Sequence, residues 1–373
     1  MQRPNYEIAR ADAGFRWQVG SGQSPLTELT GIPFGEFNLN PKACIEAFRL
    51  GRPRLREMFG PDVQPPALST PHISYGHVSG LGSRLTFPED GEVGHSHLYT
   101  SLAEGIVALK QPVDFATAGM APFYLDFLRQ IRDAFPGEEV GFTYGLEGPI
   151  TTAWELRGEG FFTDIYDDPE GAAEFLSLAT DSIVAFHRFA SSVRGVPAIN
   201  PAGGGMCDDL ASMMPPALWP DLVLPAWERY YAGVTTGIRN AHVEDLRASQ
   251  LPYLEEIGLS YYDPSISHRL NPRIIAANCR VPFGWRLGSF HYDGMSADDV
   301  RDFVFQSVAD GACAVFTYLE GCMCSEPYVE KVAAFVTAAK EAERCLAAGG
   351  SPAELGTWVS QSGREKLWDH WPA

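Results

Sequence analysis

At 373 residues, with 45% hydrophobic and 20% charged side chains, the chain has the length of one large α/β barrel or two ordinary domains and a globular composition, which excludes disorder, collagen and coiled coil. Twenty-eight Lys and Arg against 47 Asp and Glu leave a formal charge of −19, the wrong sign for a general nucleic-acid binder and a field that slows polyanionic ligands. No signal-like or bilayer-length apolar window occurs, so a cytoplasmic protein with no membrane partner is expected; seven cysteines, an odd number, predict free thiols in place of a disulfide framework.

No repeat or low-complexity tract divides the chain. The first hundred residues read as a loop-rich extension, Pro/Arg-rich over Pro53 to Asp62 and Gly/His/Ser-rich over Pro71 to His97. From Ser101 the apolar residues fall at helical spacing to Lys110, and again from Pro122 to Phe135, before a short strand over Val140 to Tyr144. Asp168-Pro169-Glu170 announces a long helix through Phe175, Leu178 and Ile183 to about Phe189. Further strands are expected over Ala198 to Pro201, Thr235 to His242, Leu259 to Asp263, Val281 to Phe290 and Cys313 to Leu319. Helices are expected over Pro215 to Ala232, Asp245 to Ile257 and Ala297 to Ala309, the last behind a Ser296 cap. This alternation predicts an α/β fold with a parallel sheet. A (β/α)8 TIM barrel over residues 101–345, with 1–100 as N-terminal extension and 346–373 as C-terminal tail, fits the length best; a doubly wound sheet is its rival. The run from Gly203 to Asp209 follows an expected strand but lacks dinucleotide-fingerprint spacing, and no Walker lysine occurs.

Reactive groups of such barrels sit where strands end. The strand closing at His242-Val-Glu244 sends both side chains to one face, a two-ligand arm. The last expected strand runs into Glu320-Gly-Cys322-Met-Cys324, so Cys322, with Cys324 as its rival, offers a third ligand. One imidazole, one carboxylate and one thiolate make a tetrahedral Zn²⁺ site with an open position, the arrangement of a catalytic zinc. As packing residues the same three are a histidine bonded to a carbonyl, a helix N-terminal carboxylate and an inert thiol; spacing does not choose. Asp263, closing Tyr261-Tyr-Asp-Pro264, reads as a substrate contact, an added ligand or a loop cap. His291 and Tyr292 line either a pocket or a surface loop, and His95 and His97 either a pocket lid or a solvated loop.

Three stretches, Leu146-Glu-Gly-Pro-Ile-Thr-Thr-Ala-Trp-Glu-Leu-Arg-Gly158, Asp167-Asp-Pro-Glu170, and Cys207-Asp-Asp-Leu210 ahead of the Pro215 helix, resemble in that order the landmarks of the uroporphyrinogen decarboxylase superfamily, from about Pro53 to Lys340. The resemblance implies a (β/α)8 barrel and either tetrapyrrole decarboxylation or cobalamin-dependent methyl transfer. In the methyltransferase branch a His-x-Cys on one strand end and a distant Gly-Cys bind zinc. His242-x-Glu244 and Gly321-Cys322 fall at those places, with Glu244 substituting hard oxygen for the branch's usual sulfur. Asp208 and Asp209 fall where the superfamily places substrate-facing acids, which also suit a structural helix start. The decarboxylase branch's N-terminal arginine motif, which pairs with porphyrinogen carboxylates, is absent; Arg52-Pro-Arg54-Leu-Arg56 only echoes it.

The resemblance therefore implies a zinc-dependent methyltransferase, with His242, Glu244 and Cys322 as metal ligands and Asp209 as a catalytic candidate; Asp263 and His291, from their places at strand ends, complete the catalytic candidates. No Asp-x-His-x-x-Gly corrinoid-binding segment occurs, so methylcobalamin is expected on a partner corrinoid protein, exchanging its methyl group with a small-molecule donor or acceptor. A metal-free decarboxylase (lyase) acting on a tetrapyrrole or other carboxylated substrate is the alternative. A barrel that only binds a ligand is the third reading.

Overall fold

The structure, a computed structural model, describes residues 3–89 and 91–368. Its strands are β1 (Arg16–Ser21), β2 (Leu85–Thr86), β3 (Gly94–His95), β4 (Gly203–Cys207), β5 (Ile238–His242), β6 (Tyr261–Asp263), β7 (Gly284–Leu287) and β8 (Ala314–Leu319). The described residues fall into two compact units, each discontinuous in sequence: 32–46 with 67–242, and 3–31 and 47–66 with 243–368.

In the first unit the sheet contacts are parallel apart from the antiparallel β2–β3 ribbon. Ser69 bridges to Gly141 and Ile73 to Tyr144, and β4 pairs with β5 so that Cys207 stands opposite His242. The long helix Pro169–Arg194 is capped as its sequence suggests: the Asp168 carboxylate accepts from Gly171 N–H at 2.9 Å, and Gly195, at φ +70°, ends it in the left-handed conformation. Its buried face carries Phe175, Leu176, Ile183 and Phe186.

The strand expected over Ala198 to Pro201 lies further on, in the glycine run Gly203–Cys207; of the expected segment, Asn200 makes a single bridge to Thr235. Crowding from β5 and the residues leading into it explains the first two glycines. A Cβ on Gly203 would meet Ile238 Cγ1 at 2.6 Å, and one on Gly204 would meet Thr235 at 3.1 Å. The helix expected from Pro215 begins as 3-10 and π turns over Pro216–Leu218 and Trp219–Val223, and turns regular only at Leu224–Val234.

The second unit holds the parallel order β1–β8–β7, with Arg16 beside Ala314 and Leu287 beside Thr317. Tyr262 bridges to Phe283 at one side and Val19 to Val63 at the other. Thus the first hundred residues supply a full strand and several bridging segments. The helix Ala297–Ala309 starts on a capping box of Ser296 and Asp299, and its buried Asp302 accepts from the N–H of Ser360 at 3.0 Å, tying down the C-terminal segment. The helix expected from Asp245 shortens to Pro252–Glu256, because Asp245 has φ 54° and starts a turn. The fold is α/β, with parallel strands in each unit in small sheets. Among the described residues no helix is long and apolar enough to cross a membrane.

Candidate functional site

The ends of β4 and β5 in the first unit bring together three metal-type donors. Cys207 closes β4, Asp209 lies two residues on, and His242 closes β5 in register with Cys207. One ligand atom from each lies within 4.8 Å of the others, and all three side chains are half-buried. Cys207 Sγ donates to Asp209 Oδ2 at 3.5 Å, while His242 Nε2 is 3.7 Å from Asp209 Oδ1. Burial, with the charges of Glu147 and Asp209, pushes the Cys207 thiol far above its ordinary value. A divalent cation among these donors would reverse that shift, since a coordinating thiol is deprotonated outright.

Asp208, between the two donors, has a structural duty. It is fully buried and accepts from Thr151 N–H at 2.7 Å, Ile150 N–H at 3.3 Å and Trp227 Nε1 at 2.6 Å. It thereby clamps the start of helix Pro149–Arg157 to the end of β4, a carboxylate at a helix N-terminus. Gly148 N–H, donating to Cys207 O at 2.5 Å, completes the junction. A Cβ on Gly148 would lie 2.4 Å from that of Asp208, so only glycine permits the approach.

Two more acids stand behind the trio. Glu147 is 9% exposed and Glu155 1%. Burial raises Glu147 to about 7, against hydrogen bonds from Ser74 and Cys207, and raises Glu155 well above the carboxylate range. Burial likewise brings Asp208 up to about 6. A cavity of about 690 Å³ in the same unit is lined by Ser74, Leu146, Gly205, His187, Arg194 and Tyr230 among others. Its lining stops short of Cys207, Asp209 and His242, so chemistry and electrostatics locate the site better than cavity size.

The structure brings His242 and Asp209 together. Glu244, half-buried just after β5, and Cys322, exposed on the 3-10 turn after β8, belong to the second unit. Burial and nearby acids raise both Cys322 and Cys324, the latter to about 11. Asp263 closes β6 and accepts from Ser265 N–H at 2.8 Å, the loop-capping geometry. His291 is buried in a short helix, its Nδ1 accepting from Gly288 N–H at 3.2 Å. Burial, His268 and Arg286 bring it down to about 4, so its ring is neutral.

Sequence reasoning passed over Cys207 and Glu147. The period-two logic applied to His242-x-Glu244 also selects Cys207-x-Asp209, but only once the glycine run is recognised as a strand. Glu147 carried no local signal beyond its place ahead of Gly148-Pro149.

The uroporphyrinogen decarboxylase (URO-D) family model matches residues 28–273. No curated protein matches the sequence. Among solved structures, a methyltransferase from Methanosarcina mazei superposes with a TM-score of 0.65 at 17% identity, covering 90% of this chain and 97% of that one. A carboxyl transferase domain of Rhizobium etli pyruvate carboxylase, at 10% identity over 90% of this chain and 49% of that one, reaches a TM-score of only 0.31, too low for a fold relative.

Proposed function

Because this chain belongs to the uroporphyrinogen decarboxylase (URO-D) family, we propose that it is a corrinoid-dependent methyltransferase on a (β/α)8 barrel. In this reading it moves a methyl group between methylcobalamin carried by a partner protein and a small molecule. The fold shared with the M. mazei methyltransferase supports this branch of the family; the Cys207, Asp209 and His242 group carries the reading.

One sulfur, one oxygen and one nitrogen donor suit Zn²⁺ with a position left for substrate. Zinc held there would act as a Lewis acid, lowering the pKa of an acceptor thiol or hydroxyl. The protein supplies the rest. Asp208 fixes the β4 end, Asp209 faces the donors, and the Glu147 carboxyl, beside Cys207 and near neutrality, is placed to hold or release a proton. Asp263 and His291, which belong to the second unit, stay catalytic candidates on sequence grounds alone.

The test is metal per chain by elemental mass spectrometry on protein purified without chelator, with the variants Cys207→Ser, Asp209→Asn, His242→Gln, Glu244→Gln and Cys322→Ser. About one zinc per chain is expected, with affinity falling by about tenfold or more in Cys207→Ser and His242→Gln. Loss in Glu244→Gln and Cys322→Ser instead would assign the ligands expected from sequence. No metal in the wild type after zinc reconstitution would overturn the reading. Demethylation of methylcobalamin, followed by absorbance, then tests the activity, with Asp263→Asn and His291→Gln in the same series.

The alternative is a metal-free decarboxylase, in which Glu147 would protonate the product carbon. It calls for cationic groups to hold a carboxylated tetrapyrrole, whereas the charges bearing on Glu147 and Glu155 are those of other acids.

A further inference from the structure

We propose that the cavity of about 690 Å³ in the first unit is a second binding site and takes an organic monocarboxylate, with Arg194 holding the carboxylate and the apolar lining taking its body. This goes beyond the methyl-transfer reading and does not rest on it. Arg194, Val196, Pro197 and Asn200 line the cavity from the segment ahead of β4. From Gly203 to the donor end at Cys207 the strand advances about 13 Å.

Arg194 closes helix Pro169–Arg194 and meets two other residues of the cavity wall: its charge bears on His187, and the Tyr230 hydroxyl bears on it. Among the described residues it has no ion-pair partner, although burial acts against its charge. A guanidinium keeps that charge at any working pH. The helix C-terminus favours a cation at this position, yet it presents no pair of carboxylate oxygens to the planar fork. Among the described residues lining the cavity there is no aspartate or glutamate, in a chain that carries 47. Since a net charge of −19 opposes anions at long range, an anion site needs a wall locally cleared of acids. Asn200 adds a donor: its Oδ1 accepts from Ala202 N–H at 3.0 Å, which leaves its NH2 group to donate.

The remaining lining suits an apolar body. Phe142, Phe186, Val196, Pro197 and Val234 supply hydrophobic surface, and the glycines of β4 supply bare backbone. Crowding accounts for Gly203 and Gly204 but not for Gly205, where a Cβ would meet nothing within 4 Å. A glycine at 205 keeps that wall open, as strand glycines do where a ligand comes close to the backbone. The volume is that of a small-molecule site, far more than an inorganic anion fills. One fixed positive charge beside the negative end of a helix matches one carboxylate, whereas a phosphate dianion would leave a charge unmatched.

The experiment is a calorimetric titration of the purified protein with 2-naphthoate, neutral 2-naphthamide and acetate. Saturable binding of 2-naphthoate is expected, about tenfold or more tighter than either the amide or acetate. Arg194→Gln should weaken it by about tenfold, and Gly205→Leu, which fills the open wall, by a similar factor. Arg129→Gln, on an exposed arginine paired with Asp126, should leave it unchanged. Binding should also persist in chelator-treated protein; its loss there would put the carboxylate on a metal and overturn the proposal. No binding of 2-naphthoate, equal binding of the amide or of acetate, or an unaltered affinity in Arg194→Gln would overturn it as well. The wild-type ligand series decides the matter even where a variant fails to fold. Zinc content and methylcobalamin demethylation are read separately: zinc and methyl transfer without carboxylate preference would sink this inference alone, and carboxylate preference without zinc would sink only the metal reading.

Discussion

Asp208 and Cys207 are neighbours in the chain with different work, one holding a helix and the other facing a half-open cluster. An asparagine at 208 keeps one acceptor where the structure uses two oxygens, leaving the Trp227 indole or a helix N–H without a partner. Asp208→Asn should therefore destabilise the protein by about 1–3 kcal/mol, read as a lower urea midpoint. His77 offers a pH test. Its ring is buried between Phe115 and Phe186, with Nε2 2.9 Å from Ser182 Oγ, and burial brings it from 6.5 down to about 3. The unfolded chain then binds more protons than the fold between these values. The contribution is fully present above pH 6.5 and is lost as pH falls toward 3, with a slope of up to about 1.4 kcal/mol per pH unit. Urea midpoints at pH 7, 6 and 5 should fall accordingly, and His77→Gln should flatten this part of the decline.

The strand β4 opens on two glycines because β5 and the residues leading into it leave no room for side chains there. Gly203→Val would drive a side chain into Ile238, so we expect a loss of about 1–3 kcal/mol and a lower Tm. Gly205→Ala, with open space at its Cβ position, should cost far less. Elements whose signals are local were legible in the sequence. Helix Pro169–Arg194 was marked by its Asp168 cap, and helix Ala297–Ala309 by Ser296. Elements set by distant neighbours were not: β4 looked like a loop because glycines have no periodicity to read, and the π turn at Trp219–Val223 delays its helix through packing of Trp219 on Trp227. The site divides in the same way. His242 was visible as a strand-end group and Asp209 through the family resemblance. Cys207 needed the β4–β5 register, and Glu147 needed the fold that places residue 147 beside residue 207, 60 positions away in sequence.

At the scale of the molecule, a formal charge of −19 sets a repulsion that salt screens. Raising sodium chloride from about 10 mM to 0.5 M should lift Tm by a few degrees, where ion-pair stabilisation such as Arg157 with Asp164 would work in the opposite sense. One rung of the sheet has a kinetic meaning. Cys207 stands opposite His242, and the next amide, Asp208 N–H, donates to His242 O at 3.1 Å. Two of the three donors thus belong to a hydrogen-bonded ladder, which separates only when that part of the unit opens. An ion held by the pair can still pass to a chelator through the open position, so its capture should run faster than the deuterium exchange of the Asp208 amide, which waits for the strands to part.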